Sequence, residues 1–208
     1  MTEEQMPIGD AGLPSSQGVA ARPRVSGRIE GAIELWRICA DRARAIVLSL
    51  RGARIGRKVR VGPRCTFERP WCIRLEDRVR VEEGVYIKVT ADDAEIRIGA
   101  YSFLGRGTEL DVARGVRIGS HSLVAPGCFV TDHGHAFRRA SKRIDEQGCE
   151  VAPVRIGDDA WLGAGAVVVM GANIGDGAVV GAGALVRGEV PAYEVYVGVP
   201  ARSVGRRE

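Results

Sequence analysis

The stretch VRIGDDAWLGAGAVVVMGANIGDGAVVGAGALVR, residues 154–187, decides the fold. Ile156, Leu162, Val168, Ile174, Val180 and Val186 stand six residues apart, and two places before them stand Val154, Ala160, Ala166, Ala172, Ala178 and Ala184. Glycine follows most of the branched residues, at 157, 163, 175 and 181. An α-helix turns by about 100° per residue, so a stripe of this period would wander around its surface. Short strands joined by tight corners accept the period, because residues two apart share one side of a strand. Three six-residue units, 18 residues in all, close a triangular coil. Coils stacked about 4.8 Å apart then pair every strand with its neighbours.

Looser copies precede this stretch. Ile55, Val61 and Phe67 mark a first turn, Leu75, Val81 and Ile87 a second, Ile98, Leu104 and Leu110 a third, and Ile118, Val124 and Val130 a fourth. Their first members lie 20, 23 and 20 residues apart, so the corners absorb small insertions. From Ile118 to Ile156 the distance is 38, which exceeds one coil of 18 by 20. The excess must leave the body as an extruded loop, 131–153, and it carries two of the three histidines.

Around the coil the chain divides by composition. Residues 1–27 are rich in Gly, Pro and Ser and read as a disordered lead. Residues 28–50 place Ile29, Ile33, Trp36, Ala40, Ala43 and Val47 three and four apart, the pattern of an amphipathic helix. Packing against the main domain or a neighbouring subunit is its ordinary role, and contact with a membrane surface is the rarer one. The coil then runs over 51–190, and 191–208 forms a C-terminal cap segment; helix and cap would cover the sheet edges at the two ends.

The net charge is +4 and the positive side is nearly all Arg, with Lys only at 58, 88 and 142. Such a surface favours anions such as phosphates but is too dispersed for a nucleic-acid partner. Five cysteines, at 39, 65, 72, 128 and 149, form no CxxC pair, and the odd number points to a reducing compartment and a cytoplasmic protein. The first residues begin acidic and lack the apolar core of a secretory signal, and no run reaches the length of a membrane span.

From Ile156 onward, IGDDAWLGAGAVVVMGANIGDGAVVGAGALVRGEVPAYEVYVGVPARSVGRR resembles the C-terminal signature of the hexapeptide-repeat acyltransferases, a likeness that covers about 55–204. The resemblance implies a mainly β fold, a left-handed parallel β-helix of triangular coils with an N-terminal α-helix and an extruded loop. Its winding opposes the usual right-handed crossover, and periodicity alone does not supply that hand. DHGH, the loop, AWLGAG and VGVPAR together look like the subgroup that moves acetyl groups from acetyl-CoA to hydroxyls of sugars, polysaccharides and related acceptors. Direct transfer, a homotrimer with a site in each cleft between subunits, and no metal are implied as well.

A hydroxyl is a poor nucleophile until a base takes its proton, and neutral imidazole suits that task near pH 7. By resemblance His135, five residues past Val130, is the catalytic base, and His133 its substrate-binding or hydrogen-bonding neighbour. Asp132 is expected to orient one imidazole or to meet the substrate. Trp161 precedes an inward Leu and should face outward, where it packs a subunit contact or lines the acetyl group's place. Backbone amides near Leu162 and Gly163 are candidates for holding the oxyanion. Residue for residue, Ala164 and Ala182 would line the pantetheine arm beside Gly163, with Arg187, Gly188 and Arg202 towards the nucleotide end.

Arg138, Arg139, Lys142 and Arg143 stand where the subgroup often carries an Asp-Pro step, which favours an anionic acceptor, met by Arg138. Cys65 and Cys128 occupy small inward positions and read as fillers, whereas Cys149 lies in the loop. Two other classes remain open. A zinc hydratase related to the γ-type carbonic anhydrases would need three His ligands, but His121 and His133 fall at different corners of one chain. A trimeric scaffold would bind neither CoA nor metal.

Overall fold

The computed structural model describes residues 24–208. The helix spans Arg24–Leu50 and so begins four residues before the expected boundary at 28, taking 24–27 from the lead. The rest of that lead, 1–23, lies outside the described residues. The chain divides into two compact units between Trp36 and Arg37. Within the first, Ile29, Leu35 and Trp36 are exposed.

In the second unit the end of the helix covers the first coil. Ala45 and Leu48 are buried, and Arg44 Nε donates to the Val61 carbonyl at 2.8 Å. Asp41 takes Arg60 at 3.1 Å, and Arg51 donates to the Phe67 carbonyl at 2.9 Å. Both carbonyls belong to strands at the end of their sheets, where no earlier coil offers a partner.

The coil itself is a left-handed β-helix with three parallel faces. The first face runs through Arg54–Ile55, Ile73–Leu75, Glu95–Ile98, Gly115–Ile118, Val154–Ile156, Asn173–Ile174 and Glu189–Val190. The inward residues stack in register: Ile55, Leu75, Ile98, Ile118, Ile156, Ile174 and Val190 form one column. Val61, Val81, Leu104, Val124, Leu162, Val180 and Tyr196 form the second. Phe67, Ile87, Leu110, Val130, Val168 and Val186 form the third. The columns are buried along their length, with only Ile55 and Tyr196 at the ends partly open. The small partners Ala160, Ala166, Ala172, Ala178 and Ala184 are equally buried, as the period requires.

In the looser coils Ser102, Thr108 and Ser122 take the small inward position. A buried hydroxyl needs an acceptor, and each finds one on the next coil: Ser102 Oγ donates to the Gly119 carbonyl at 2.6 Å and Ser122 Oγ to that of Gly157 at 2.7 Å. At the far end Glu194–Val197 adds a parallel strand to the second face, and Arg202–Arg206 folds back antiparallel on it. These two strands form a hairpin after the last coil.

At Gly119 two coils come so close that an added Cβ would meet the Gly157 carbonyl carbon at 2.4 Å and the Asp158 nitrogen at 2.5 Å. Gly119→Ala should therefore lower stability by about 1–3 kcal/mol. Gly205→Ala, with nothing within 4 Å, should stay within about 0.5 kcal/mol. Chemical denaturation of the two variants side by side checks the difference.

Candidate active site

The third face reaches Phe129–Thr131 in the fourth coil, and there the chain leaves the body. What the sequence reads as a loop is organised as an antiparallel hairpin at its base. His133 faces Val151, Gly134 faces Glu150, and His135 faces Cys149. The tip holds one short helical turn, Ile144–Glu146, and Gln147 ties it by accepting from the Arg139 amide at 2.9 Å. The chain re-enters where the Ala152 amide donates to the Asp132 carbonyl at 2.8 Å.

Asp132 fixes this exit. It is 0 % exposed, and its carboxylate accepts from three successive amides of the coil corner, Ala113 at 2.7 Å, Arg114 at 2.7 Å and Gly115 at 2.5 Å. The same carboxylate lies 3.1 Å from His133 Nδ1. The carboxylate is thus occupied by three backbone amides and one imidazole. The hydrogen bond assigns the Nδ1 proton of His133 towards Asp132 and turns Nε2 the other way.

His133 Nε2 stands 3.8 Å from Asp111 Oδ1, a buried oxygen without a hydrogen-bond partner among the described residues. The other oxygen of Asp111 accepts from Lys88 Nζ at 2.9 Å, which raises the Lys88 pKa. Neither Asp111 nor Lys88 stands out in the sequence, yet column counting finds them: Asp111 lies directly beneath Thr131, and Lys88 beneath Asp111. His135 is exposed, with Nδ1 3.8 Å from Cys149 Sγ. Arg138 is exposed and 3.7 Å from Glu150, and Arg143 pairs with Asp145 at 2.9 Å.

The other expected residues lie elsewhere on the prism. Trp161 faces outward from the second face, half exposed, between Leu123 and Val179 of the coils on either side. Gly163, Ala164 and Ala182 follow the second-face strands, at the corner that leads to the third face. Gly163 has no room for a Cβ, which would meet the Ala182 nitrogen at 2.5 Å. Its amide donates to the Val180 carbonyl at 2.7 Å, so it is spent on the coil and is not an oxyanion donor. The amides of Ala164 and Ala182 take no acceptor among the described residues. Arg187 and Gly188 follow the third face, on the same edge from which the hairpin leaves, and Arg202 lies in the cap. Within one chain the histidines and the Trp161 corner thus belong to different edges.

His121, the third histidine, stacks on Tyr101 with ring centroids 4.8 Å apart, at the corner between the first and second faces. Among the described residues no group of three His, Cys, Asp or Glu side chains could hold a metal ion. Cys128 is buried as a filler, and burial pushes its thiol up.

A family model described as the hexapeptide repeat of succinyl-transferase matches residues 95–132 and 153–187, on both sides of the hairpin. A probable acetyltransferase of Mycobacterium tuberculosis is 36 % identical over 139 residues, 67 % of this chain and 46 % of that protein. A putative lipopolysaccharide biosynthesis O-acetyl transferase of Escherichia coli is 38 % identical over 96 residues, 43 % of this chain and 49 % of that protein. The chain therefore spans about half the length of these relatives, or less. An N-acyltransferase from Bacillus cereus in complex with dTDP and 3-hydroxybutyryl-CoA matches with a TM-score of 0.68 at 21 % identity, covering 77 % of this chain and 87 % of that one. A maltose O-acetyltransferase from Clostridium difficile matches with a TM-score of 0.54 at 23 % identity, covering 79 % and 75 %. Repeat, relatives and fold agree: over the matched residues the chain carries the hexapeptide repeat and is similar there to acetyltransferases.

Two outcomes check the site's construction. Asp132→Ala strands three backbone amides and should cost on the order of 3 kcal/mol in thermal or chemical denaturation. In native protein, brief alkylation followed by peptide mass spectrometry should modify Cys149 and leave Cys128 unmodified.

Proposed function

We propose that this chain is an acetyl-CoA-dependent O-acetyltransferase acting on a hydroxyl of a saccharide acceptor. The observation that carries the reading is the hairpin: an otherwise unbroken hexapeptide coil opens once, and the opening presents two imidazoles, one of them held by a buried carboxylate. A ring nitrogen of His135 takes the acceptor's hydroxyl proton as its oxygen attacks the thioester carbonyl. The tetrahedral oxyanion collapses, the C–S bond breaks, and the imidazolium returns its proton to the CoA sulfur. No covalent enzyme intermediate is required.

His133 holds the acceptor beside the base, with Asp132 fixing its tautomer. The exposed edge at Ala164 and Ala182 suits the peptide-like pantetheine arm, because small side chains let it approach two amides that have no other acceptor. Arg187, Gly188 and Arg202 serve the nucleotide end, where Arg meets phosphate. Trp161 borders the acetyl group, and Arg138 a charged part of the acceptor.

Because the histidines and the Trp161 corner occupy different edges of one prism, we infer a homotrimer in which His135 of each subunit meets acetyl-CoA bound against the next. The relatives support the acyl-transfer class: the two described above bear acetyltransferase names, and the structural neighbour from Bacillus cereus holds an acyl-CoA. No described helix is long and apolar enough to cross a membrane. We place the enzyme in the cytoplasm, for which five unpaired cysteines are the support.

Purified protein should release CoA thiol from acetyl-CoA only when an acceptor sugar is present. His135→Ala should lower kcat by about 100-fold or more, while binding of CoA by calorimetry stays within a few-fold. A stoichiometric metal lost with His133, or no binding of CoA at all, would overturn the reading in favour of a hydratase or a scaffold.

A further inference from the structure

The outward column of the first face is a feature that acyl transfer leaves unused. Arg54, Arg74, Arg97, Arg117 and Arg155 are aligned rung upon rung, so five guanidinium side chains leave one flat face in a single row. With strands about 4.8 Å apart, the row is roughly 19 Å long. Asn173 and Glu189, bonded to each other at 2.8 Å, end it on the C-terminal side.

Like charges directly opposite on neighbouring strands repel, and little in the fold cancels them here. Glu76 takes Arg97 at 2.5 Å and stands 3.9 Å from Arg74. Among the described residues, Arg54, Arg117 and Arg155 take no ion pair, and all three are exposed. On the third face two of the same coils set opposite charges together instead, Lys88 against Asp111. An ordinary solvated column has no need of five like charges. Beside the upper rungs runs a groove of about 280 Å³, lined by Arg97, Arg117 and Arg155, by the acidic Glu95 and, at the edge where the hairpin leaves, by Arg114 and Pro153. The Arg114 amide is one of the three that Asp132 holds, so the groove ends against the corner that positions His133.

We propose that this ladder is a binding track for a linear acidic glycan carrying a carboxylate on successive sugar units, and that this glycan is the acceptor. The second clause rests on the O-acetyltransferase reading; the binding itself does not. Guanidinium forks match carboxylates with two parallel hydrogen bonds, and a pyranose ring spans about one strand spacing. A row one side chain wide fits one extended chain. A membrane or a nucleic-acid duplex would instead present charge in two dimensions, wider than a row of one side chain per strand.

The test uses the full chain and a fluorescently labelled oligogalacturonate, with anisotropy read across a salt series. The labelled oligomer should bind, a neutral dextran oligomer should not compete, and affinity should fall as salt rises. Arg117→Gln combined with Arg155→Gln should weaken binding at least about tenfold and lower the slope of log affinity against log salt by about two. The double variant should melt no lower than the wild type, since it removes a repulsion, and should keep the assembly size and thiol release with a small neutral acceptor. No binding, or a double variant that binds like wild type, overturns the track. So does a smaller assembly in the variant, which would make the ladder a subunit contact. Tighter binding to single-stranded DNA or to anionic phospholipid vesicles, displacing the oligomer, overturns it as well. Failure of acyl transfer reads differently: the oligomer binds and no acceptor releases thiol, which removes the second clause alone.

Discussion

Everything in this fold depends on the hydrogen-bonded stacking of one coil on the next. Parallel strands hold neighbouring coils at a fixed spacing, so each inward position must be filled by a side chain of nearly constant size from end to end. That constraint explains why the columns accept Ile, Leu and Val in turn, why Ala160, Ala166, Ala172, Ala178 and Ala184 repeat at the second inward position, and why Ser102 and Ser122, in that position, bond their hydroxyls to the next coil. It also explains why corners are the only places where the sequence can vary in length.

Insertion at a corner is therefore how a monotonous scaffold acquires chemistry. The hairpin after Thr131 leaves between two coils that remain paired, because Val116, Arg117 and Ile118 meet Val154, Arg155 and Ile156 in register across it. Asp132 makes this exit stable. Its carboxylate replaces, for the three amides of the corner below, acceptors that they would otherwise lack, and the same group orients His133. Structural anchoring and preparation of an imidazole are one act of one buried side chain.

The outward columns show a second use of the same constraint. Stacking multiplies whatever residue a column carries, so a single choice repeated over five coils becomes a line of charge. The Arg row of the first face and the Lys88–Asp111 pair of the third are opposite solutions to that multiplication. One leaves charge unsatisfied for a ligand, and the other cancels it within the fold.

The period of six in residues 154–187, with its looser copies over 55–130, determined the coil, its inward columns and the place where the hairpin leaves, because burial on a strand depends only on residue spacing. The three faces match that reading column by column, and the departures lie at the ends, where the helix starts at Arg24 and the cap is a hairpin. Only the tertiary structure decided how the site's groups are partnered. The engagement of Asp132 with amides of residues 113–115, the approach of His133 to Asp111 and the spent amide of Gly163 are contacts across 17 or more positions in sequence. They exist because coils of unequal length are brought into one register, and the pattern that stacks the columns carries no record of which side chain bonds which amide at a corner.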